Sequence, residues 1–393
     1  MPHAADRPPE YNVVVVGGGP AGSTAGMILA KNDFSVAILD KARFPRDKPC
    51  AGLISPRGVD ILAALHGAEL LPRLARASTT GCRMFYRQDL VGEATDAQPS
   101  FVVARADFDS FLLQAAKDAG CAVFEEARAI EVEPDQGAVT LASGNVIRGA
   151  IVIGADGANS IVRRTFWPAR KGWKKKMGFG LVADAPLEQV QSPEMRAACA
   201  RFPHIFFGLI PWGYGWIFPK GDVVSVGLGT LLKRRDGIRN ALRTLVEQQF
   251  RPGTWQSLRA RGHLLPVGNR ARAAGRDNIL LTGDAAGLVE PVTGEGIAFA
   301  LESARLAAAA AIESLSEGRP EKAGGTYAGL LRRKVLRHFT QASLARWFLF
   351  SKPCLPLAMR SLRRHPRLVR NYLELLSGKM SYLGYLRRMV LRF

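Results

Sequence analysis

Asn12-Val13-Val14-Val15-Val16-Gly17-Gly18-Gly19-Pro20-Ala21-Gly22 decides the fold. Four consecutive valines without polar alternation describe a strand buried on both faces, the habit of a parallel sheet. Gly17, Gly19 and Gly22 then satisfy G-x-G-x-x-G. The first glycine makes the tight turn, the second lets a pyrophosphate approach the backbone, and the third lets helix and strand pack closely. A helix is expected over Pro20–Lys31 and a second buried strand over Ser35–Leu39, closing a βαβ unit. Phosphates would sit on the helix N-terminus, where unpaired N–H groups point outward. Asp40, followed by Lys41, ends the second strand, where a carboxylate can accept from ribose hydroxyls. A glycine-rich turn alone says little; strand, turn, helix, strand and terminal acid in register say dinucleotide.

Later segments narrow the dinucleotide. Ile279–Thr282 reads as another buried strand, followed by Gly283-Asp284, an acid placed to bond ribitol hydroxyls. Gly294-Glu295-Gly296-Ile297 opens a long Ala-rich helix, whose positive end suits negative charge developing on a reduced flavin. Arg105, ahead of Phe108-Asp109, can clamp a pyrophosphate. These residues point to FAD. Between the pieces, about 170–265, aromatic-rich strands are expected, with a hairpin at Lys220-Gly221-Asp222. Tyr214, Trp216 and Phe218 alternate, so they share one strand face, and Gly215 leaves room on the other. Such a wall suits an elongated apolar substrate, although ordinary sheet core has the same pattern.

The segments RADFDSFL, GADGANSIVRR and LLTGDAAGLVEPVTGEGIAFALESA, with the glycine loop, resemble the flavoprotein monooxygenase superfamily. Within it, Lys48-Pro49-Cys50-Ala51-Gly52 and Tyr214-Gly215-Trp216-Ile217-Phe218-Pro219, with a tail element Gly378…Ser381-Tyr382, are similar to the geranylgeranyl reductase family. Ala51 stands where that family has glycine. The resemblance implies an α/β protein with a glutathione-reductase-type, Rossmann-like FAD domain from residues 11–75, 101–168 and 269–320. A mostly antiparallel substrate domain (76–100 and 169–268) and a basic helical C-terminal region (321–393) complete it. It implies saturation of C=C bonds in an isoprenoid or lipid-like substrate by hydride from reduced flavin. Cys50, Tyr214 and Trp216 are its catalytic candidates, and Tyr214, Trp216 and Phe218 its substrate wall; Cys50 reads equally as a packing residue. The alternative is an FAD-dependent monooxygenase, a hydroxylase before a halogenase. Halogenases of this fold carry W-x-W-x-I-P, from which Tyr214 and Phe218 depart, and a lysine in a region where none occurs between Lys48 and Lys117. A non-catalytic flavin-scaffold protein at a membrane surface is the third reading. With no second G-x-G-x-x-G, the external reductant, NAD(P)H or ferredoxin, would dock transiently.

Composition sets the remaining bounds. At 393 residues, with 47% hydrophobic content, two packed domains are expected. Cys50, Cys82, Cys121, Cys199 and Cys354 show no C-x-x-C spacing, which favours a reducing compartment and no zinc or other metal. MPHAADRPPE lacks a secretory apolar stretch, so a cytoplasmic location is expected. The net charge of +20 is uneven: Arg332–Phe393 holds 15 Lys/Arg against the single acid Glu374. That segment suits an anionic membrane surface, on the inner face of the membrane, or an acidic electron carrier. No helix-turn-helix, zinc finger or RNP signature supports nucleic acid. Pro366 should split the tail into two amphipathic pieces, with Arg360, Arg363, Arg364, Arg367 and Arg370 beside Leu357, Leu362, Leu368 and Leu373. The basic loop Arg170–Lys176 reads as a solvated connection or, less simply, a headgroup contact.

Overall fold

A computed structural model describes residues 10–166, 173, 177–268 and 274–390. Apart from Trp173, the basic loop 170–176 lies outside the described residues.

The valine run forms the strand Tyr11–Val16, and Val13, Val14 and Val15 are fully buried. It pairs in parallel with Val36–Leu39 on one side and Val146–Gly154 on the other. Ala122–Phe124 and Ile279–Leu281 extend this sheet in parallel, and the short strand Gly275–Arg276 pairs antiparallel beyond Ile279–Leu281. The helices Pro20–Ala30 and Ile297–Ser316 pack on the sheet, and Ala-rich faces let them come close. A Cβ on Gly26 would lie 2.6 Å from Ile38 Cδ1, so a side chain there would push helix from strand. This is the FAD-binding α/β fold expected from the sequence.

A second sheet of seven strands runs in the order Arg261–Leu265, Gly178–Pro186, Val223–Leu231, Tyr214–Lys220, His204–Phe207, Cys82–Tyr86, Asp89–Ala94. All neighbours are antiparallel except His204–Phe207 beside Cys82–Tyr86. Strand alternation separates its faces. Ile217, Val226, Leu228 and Phe206 point to one side, under the helix Ile238–Gln249. Trp216, Phe218, Ile205 and Met84 point to the other. The room expected opposite the aromatic wall at Gly215 is filled: a Cβ there would meet Leu228 Cδ2 at 2.7 Å. Leu53–Ile54, Ser100–Val102 and Ala77–Thr79 form a third, small antiparallel sheet.

The C-terminal helices take two directions. Ala323–Leu331 packs on the parallel sheet, where the buried Tyr327 hydroxyl donates to Leu281 O at 2.8 Å. Arg337–Phe350, Cys354–Arg364, Arg367–Leu376 and Tyr382–Val390 instead join the aromatic side of the second sheet. The break at Pro366 is where the sequence predicts it. The apolar faces are largely turned inward: Leu362 and Leu368 are buried and Leu373 is half-buried, while Leu357 is exposed, and Val369 Cγ2 lies 2.7 Å from where a Gly92 Cβ would be. Sheet packing has claimed most of the apolar half of the amphipathic pattern. No helix among the described residues is long and apolar enough to cross a membrane.

Candidate active site

The glycine loop is shaped by what surrounds it. Gly17 has φ +108, and a Cβ there would sit 2.4 Å from Ala155 O. At Gly22 a Cβ would strike Gly17 O at 1.8 Å, so both positions exclude any other residue. Gly19 differs: the nearest atom to its imagined Cβ is an Arg46 guanidinium nitrogen at 3.3 Å. The face of the N-cap Gly19 is therefore free of backbone, as phosphate approach requires. Asp40 braces this loop, its Oδ2 accepting from Gly18 N at 2.7 Å and its Oδ1 from Ala42 N at 2.8 Å. Those bonds leave each carboxylate oxygen a further lone pair for a ribose hydroxyl. Lys41 follows on the cavity rim, exposed.

Arg105 is the first residue of the helix Arg105–Asp118. Its guanidinium donates twice to Asp109, at 2.7 Å each. Arg46 approaches the same carboxylate at 3.1 Å and stacks over Phe44. Two guanidiniums share one buried acid, which leaves a net positive charge beside the glycine loop. Burial opposes charge on Arg105, but Asp109 overrides it and raises the pKa. Cys50 is half-buried, accepts from Gly52 N at 3.3 Å and lies against Arg105.

Asp284 follows the strand Ile279–Leu281, in the short turn Gly283–Ala286. Lys48 Nζ lies 3.7 Å from its Oδ2, and burial pushes the Lys48 pKa down against the pull of Asp284. His263 lines the same region; burial and then the Lys48 charge hold it down to about 4. A Cβ on Gly296 would lie 3.7 Å from Asp284 Oδ1, so the acid and the N-terminus of Ile297–Ser316 are neighbours. Gly294 has φ +70 and faces the Tyr214 hydroxyl. The structure thus brings Asp284, Gly294, Gly296 and Ile297 to the aromatic wall.

That wall is continuous. Tyr214 and Trp216 have ring centroids 6.1 Å apart, Trp216 and Phe218 6.3 Å. The Tyr214 hydroxyl donates to Thr293 O, and burial, with Glu290 and Glu295 nearby, raises its pKa. A phenol so placed is a poor proton donor. All these residues line a cavity of about 1140 Å³, closed on its far side by Phe350, Tyr372, Leu373 and Leu376.

FAD fits the donor set. The open glycine face, Arg46, Arg105, Lys48 and Asp284 line the same cavity, Asp109 pairs with both arginines, and the helix N-terminus at Gly296 adjoins Asp284. Asp156, whose Oδ2 accepts from Ile161 N at 2.6 Å, keeps a buried Oδ1 without a donor beside the cavity.

Residues 10–341 match the FAD binding domain family. Menaquinone reductase of Mycobacterium tuberculosis (strain H37Rv) is 34% identical over 76% of this chain and 75% of its own. Geranylgeranyl diphosphate reductase of Rhodobacter capsulatus is 32% identical over 84% of this chain and 83% of its own. This chain belongs to the geranylgeranyl reductase family of FAD-dependent oxidoreductases. A geranylgeranyl bacteriochlorophyll reductase-like protein of Thermoplasma acidophilum shares the fold, with TM-score 0.72 at 20% identity, over 98% of this chain and 96% of that one.

In this member of the reductase family, several cavity residues escape a motif-by-motif reading. Glu295 is the clearest. Burial raises its carboxyl to about 7, against the Ser55 hydroxyl that donates to its Oε1 and the charge of Arg57. Glu290 is 1% exposed and takes donors from Val292 N (2.8 Å), Thr293 N, Thr293 Oγ1 (2.7 Å) and the Tyr382 hydroxyl (2.8 Å). Burial raises its pKa as well. Glu290 and Glu295 both stand inside a quoted segment, so their spacing was visible; Arg46, His263 and Arg346 carry no local signal.

Proposed function

We propose that this reductase saturates C=C bonds in the prenyl chain of a lipid-like substrate. One observation carries the reading. The Tyr214–Trp216–Phe218 wall and the apolar C-terminal helices enclose a single cavity with the flavin-side loop Gly294–Ile297. An isoprenoid chain needs an apolar sleeve and no polar partner along its length, which is what those two walls supply.

Bound FAD, once reduced, supplies the hydride equivalent to one alkene carbon. The chain's own residues do the rest. Gly17, Gly19 and Gly22, with Arg46 and the remaining donor of Arg105, would hold the diphosphate; Asp40 and Lys41 would serve the ribose hydroxyls, and Asp284 the ribitol. The N-terminus at Gly296-Ile297 favours negative charge at the far end of the cofactor. Trp216 and Phe218 align the prenyl chain and exclude water. The second alkene carbon requires a proton. Of the catalytic candidates, Tyr214 is committed to Thr293 O, and Cys50 lies on the Arg105 side. Glu295 is the better donor: its Oε1 accepts from Ser55, which leaves the proton to Oε2. Electrons arrive from NAD(P)H or from an acidic carrier such as ferredoxin.

Delivery of the lipid is assigned to a membrane surface, through a different patch from the one the sequence suggests. Leu344 and Trp347 are 66% and 65% exposed, one turn apart on the helix whose Phe350 lines the cavity.

The test is anaerobic. Photoreduced, FAD-loaded protein is mixed with geranylgeranyl diphosphate or menaquinone, and products are read by mass spectrometry. A gain of two hydrogens per bond is expected. Inert prenyl substrates, together with hydroxylated products in air, would establish the monooxygenase reading instead.

A further inference from the structure

The prenyl-reduction reading leaves the substrate's head undefined, and one side chain bears on it. Arg346 lies in the helix Arg337–Phe350, between the buried Ala342, Ala345 and Phe350. It lines the cavity on the side of Phe350, Tyr372, Leu373 and Leu376. Burial lowers its pKa to about 10, offset only in part by Glu290, so it stays charged at neutral pH. The residue is half-buried, so its charge is partly desolvated, and a cation partly withdrawn from water is stabilised when an anion answers it.

Elsewhere in the cavity that answer is present: Arg46 and Arg105 share Asp109. Arg346 has no ion pair or hydrogen bond among the described residues. Glu290, its electrostatic neighbour, is saturated by Val292 N, Thr293 N, Thr293 Oγ1 and Tyr382. The cavity residues named on that side, Phe350, Leu373 and Leu376, are apolar, Tyr372 excepted, so its charge adds nothing to gripping a hydrocarbon.

We infer that Arg346 is an anion subsite that selects a prenyl substrate ending in a phosphate or diphosphate. The planar fork of guanidinium donors suits a phosphate oxygen pair. A neutral head would leave the cation unanswered. The inference rests on the prenyl-reductase reading, and it predicts a preference by head within a constant chain.

The experiment compares heads on one chain and separates binding from turnover. Saturated phytanyl diphosphate and phytanol, which offer no bond to reduce, are titrated into FAD-loaded wild type, Arg346→Gln and Arg346→Lys. Perturbation of the flavin spectrum gives each Kd; flavin content and melting temperature report folding. The diphosphate-over-alcohol preference is expected to fall roughly 10- to 100-fold in Arg346→Gln, the effect of losing a charged hydrogen-bonding partner. Arg346→Lys should recover part of it. A prenylated glycerol phosphate, run alongside, tells a lipid phosphate from a free prenyl diphosphate. Equal binding of both heads by wild type, or an unchanged preference in the glutamine variant, overturns the inference and leaves reduction standing. Arg346-dependent binding without reduction of the unsaturated analogues would sink the reductase reading and keep the subsite. Failure of every head to bind would overturn both.

Discussion

Replacing Glu295 by glutamine removes a titration while keeping the shape and the Ser55 hydrogen-bond acceptor. Burial raises this carboxyl from the ordinary 4.5 to about 7. The sign follows from proton binding. Between those two values the unfolded chain has released its proton and the folded chain has kept it, so wild-type stability falls as pH rises. The contribution is full below 4.5 and is lost as pH passes 7. At about 1.4 kcal/mol per pH unit, wild type gives up roughly 3 kcal/mol across this window because of Glu295 alone. Glu290 and Asp156 are also pushed up by burial, so the informative quantity is the difference between wild type and Glu295→Gln. Denaturant unfolding of the FAD-loaded proteins at half-unit steps from pH 4.5 to 8 measures it. The glutamine variant should gain on wild type steadily, most steeply between pH 5 and 7. A protonated-carboxyl infrared band should persist near pH 6 in wild type and be missing from the variant. Parallel stability curves, with no difference in that band, would show that Glu295 is ionised throughout and is no proton reservoir.

Gly19→Val should weaken FAD binding by at least tenfold, because only phosphate-facing space lies beyond that Cβ; flavin retention after gel filtration reports it. Asp284→Ala should also lower FAD affinity, and an unchanged titration would remove it from the cofactor site. Trp216→Ala opens a buried wall, at ~3–5 kcal/mol of stability; in the folded fraction, prenyl turnover should fall further than flavin content. Leu344→Ser with Trp347→Ser should cut co-sedimentation with anionic vesicles about tenfold or more, since each buried apolar side chain is worth ~1.5–3 kcal/mol. Vesicle binding that ignores this pair would leave the basic surface to an acidic carrier.

The parallel sheet was legible because its signals are local. Val13–Val16 admits no other burial pattern, and Gly17 and Gly22 are demanded by backbone contacts within the motif or to Ala155. The aromatic wall was legible from alternation alone. What escaped is long-range. Nothing near Glu290 announces that Tyr382, 92 positions away, will donate to it. Arg105 reads as a pyrophosphate clamp, but nothing in that reading shows that its i,i+4 partner Asp109 takes two of its donors, through Nε and Nη2. The leucines of 354–376 carried a correct amphipathic period, but a period cannot say whether the apolar side meets lipid or another part of the chain. Here the strands Cys82–Tyr86 and Asp89–Ala94 had an open apolar face, and burying it inside the molecule took precedence.

That outcome changes what the tail is for. Gly378 has φ +81, and a Cβ there would sit 2.9 Å from the Arg57 guanidinium, which in turn lies over Phe299 of the long helix. Four residues on, Tyr382 reaches Glu290, the carboxylate that organises Val292 and Thr293. Thr293 O holds the Tyr214 hydroxyl, and Gly294 to Gly296 begin the flavin-side helix. The tail therefore contacts Glu290, where the loop leading to Ile297–Ser316 begins, and, through Arg57, that helix itself. Its basic residues lie outside this contact, with Arg360, Arg363, Arg364, Arg367 and Arg370 all exposed. One segment thus combines an inward set of residues that completes the cavity with an outward set that offers charge. The exposed arginines and the Tyr382 that donates to Glu290 thus belong to one C-terminal segment.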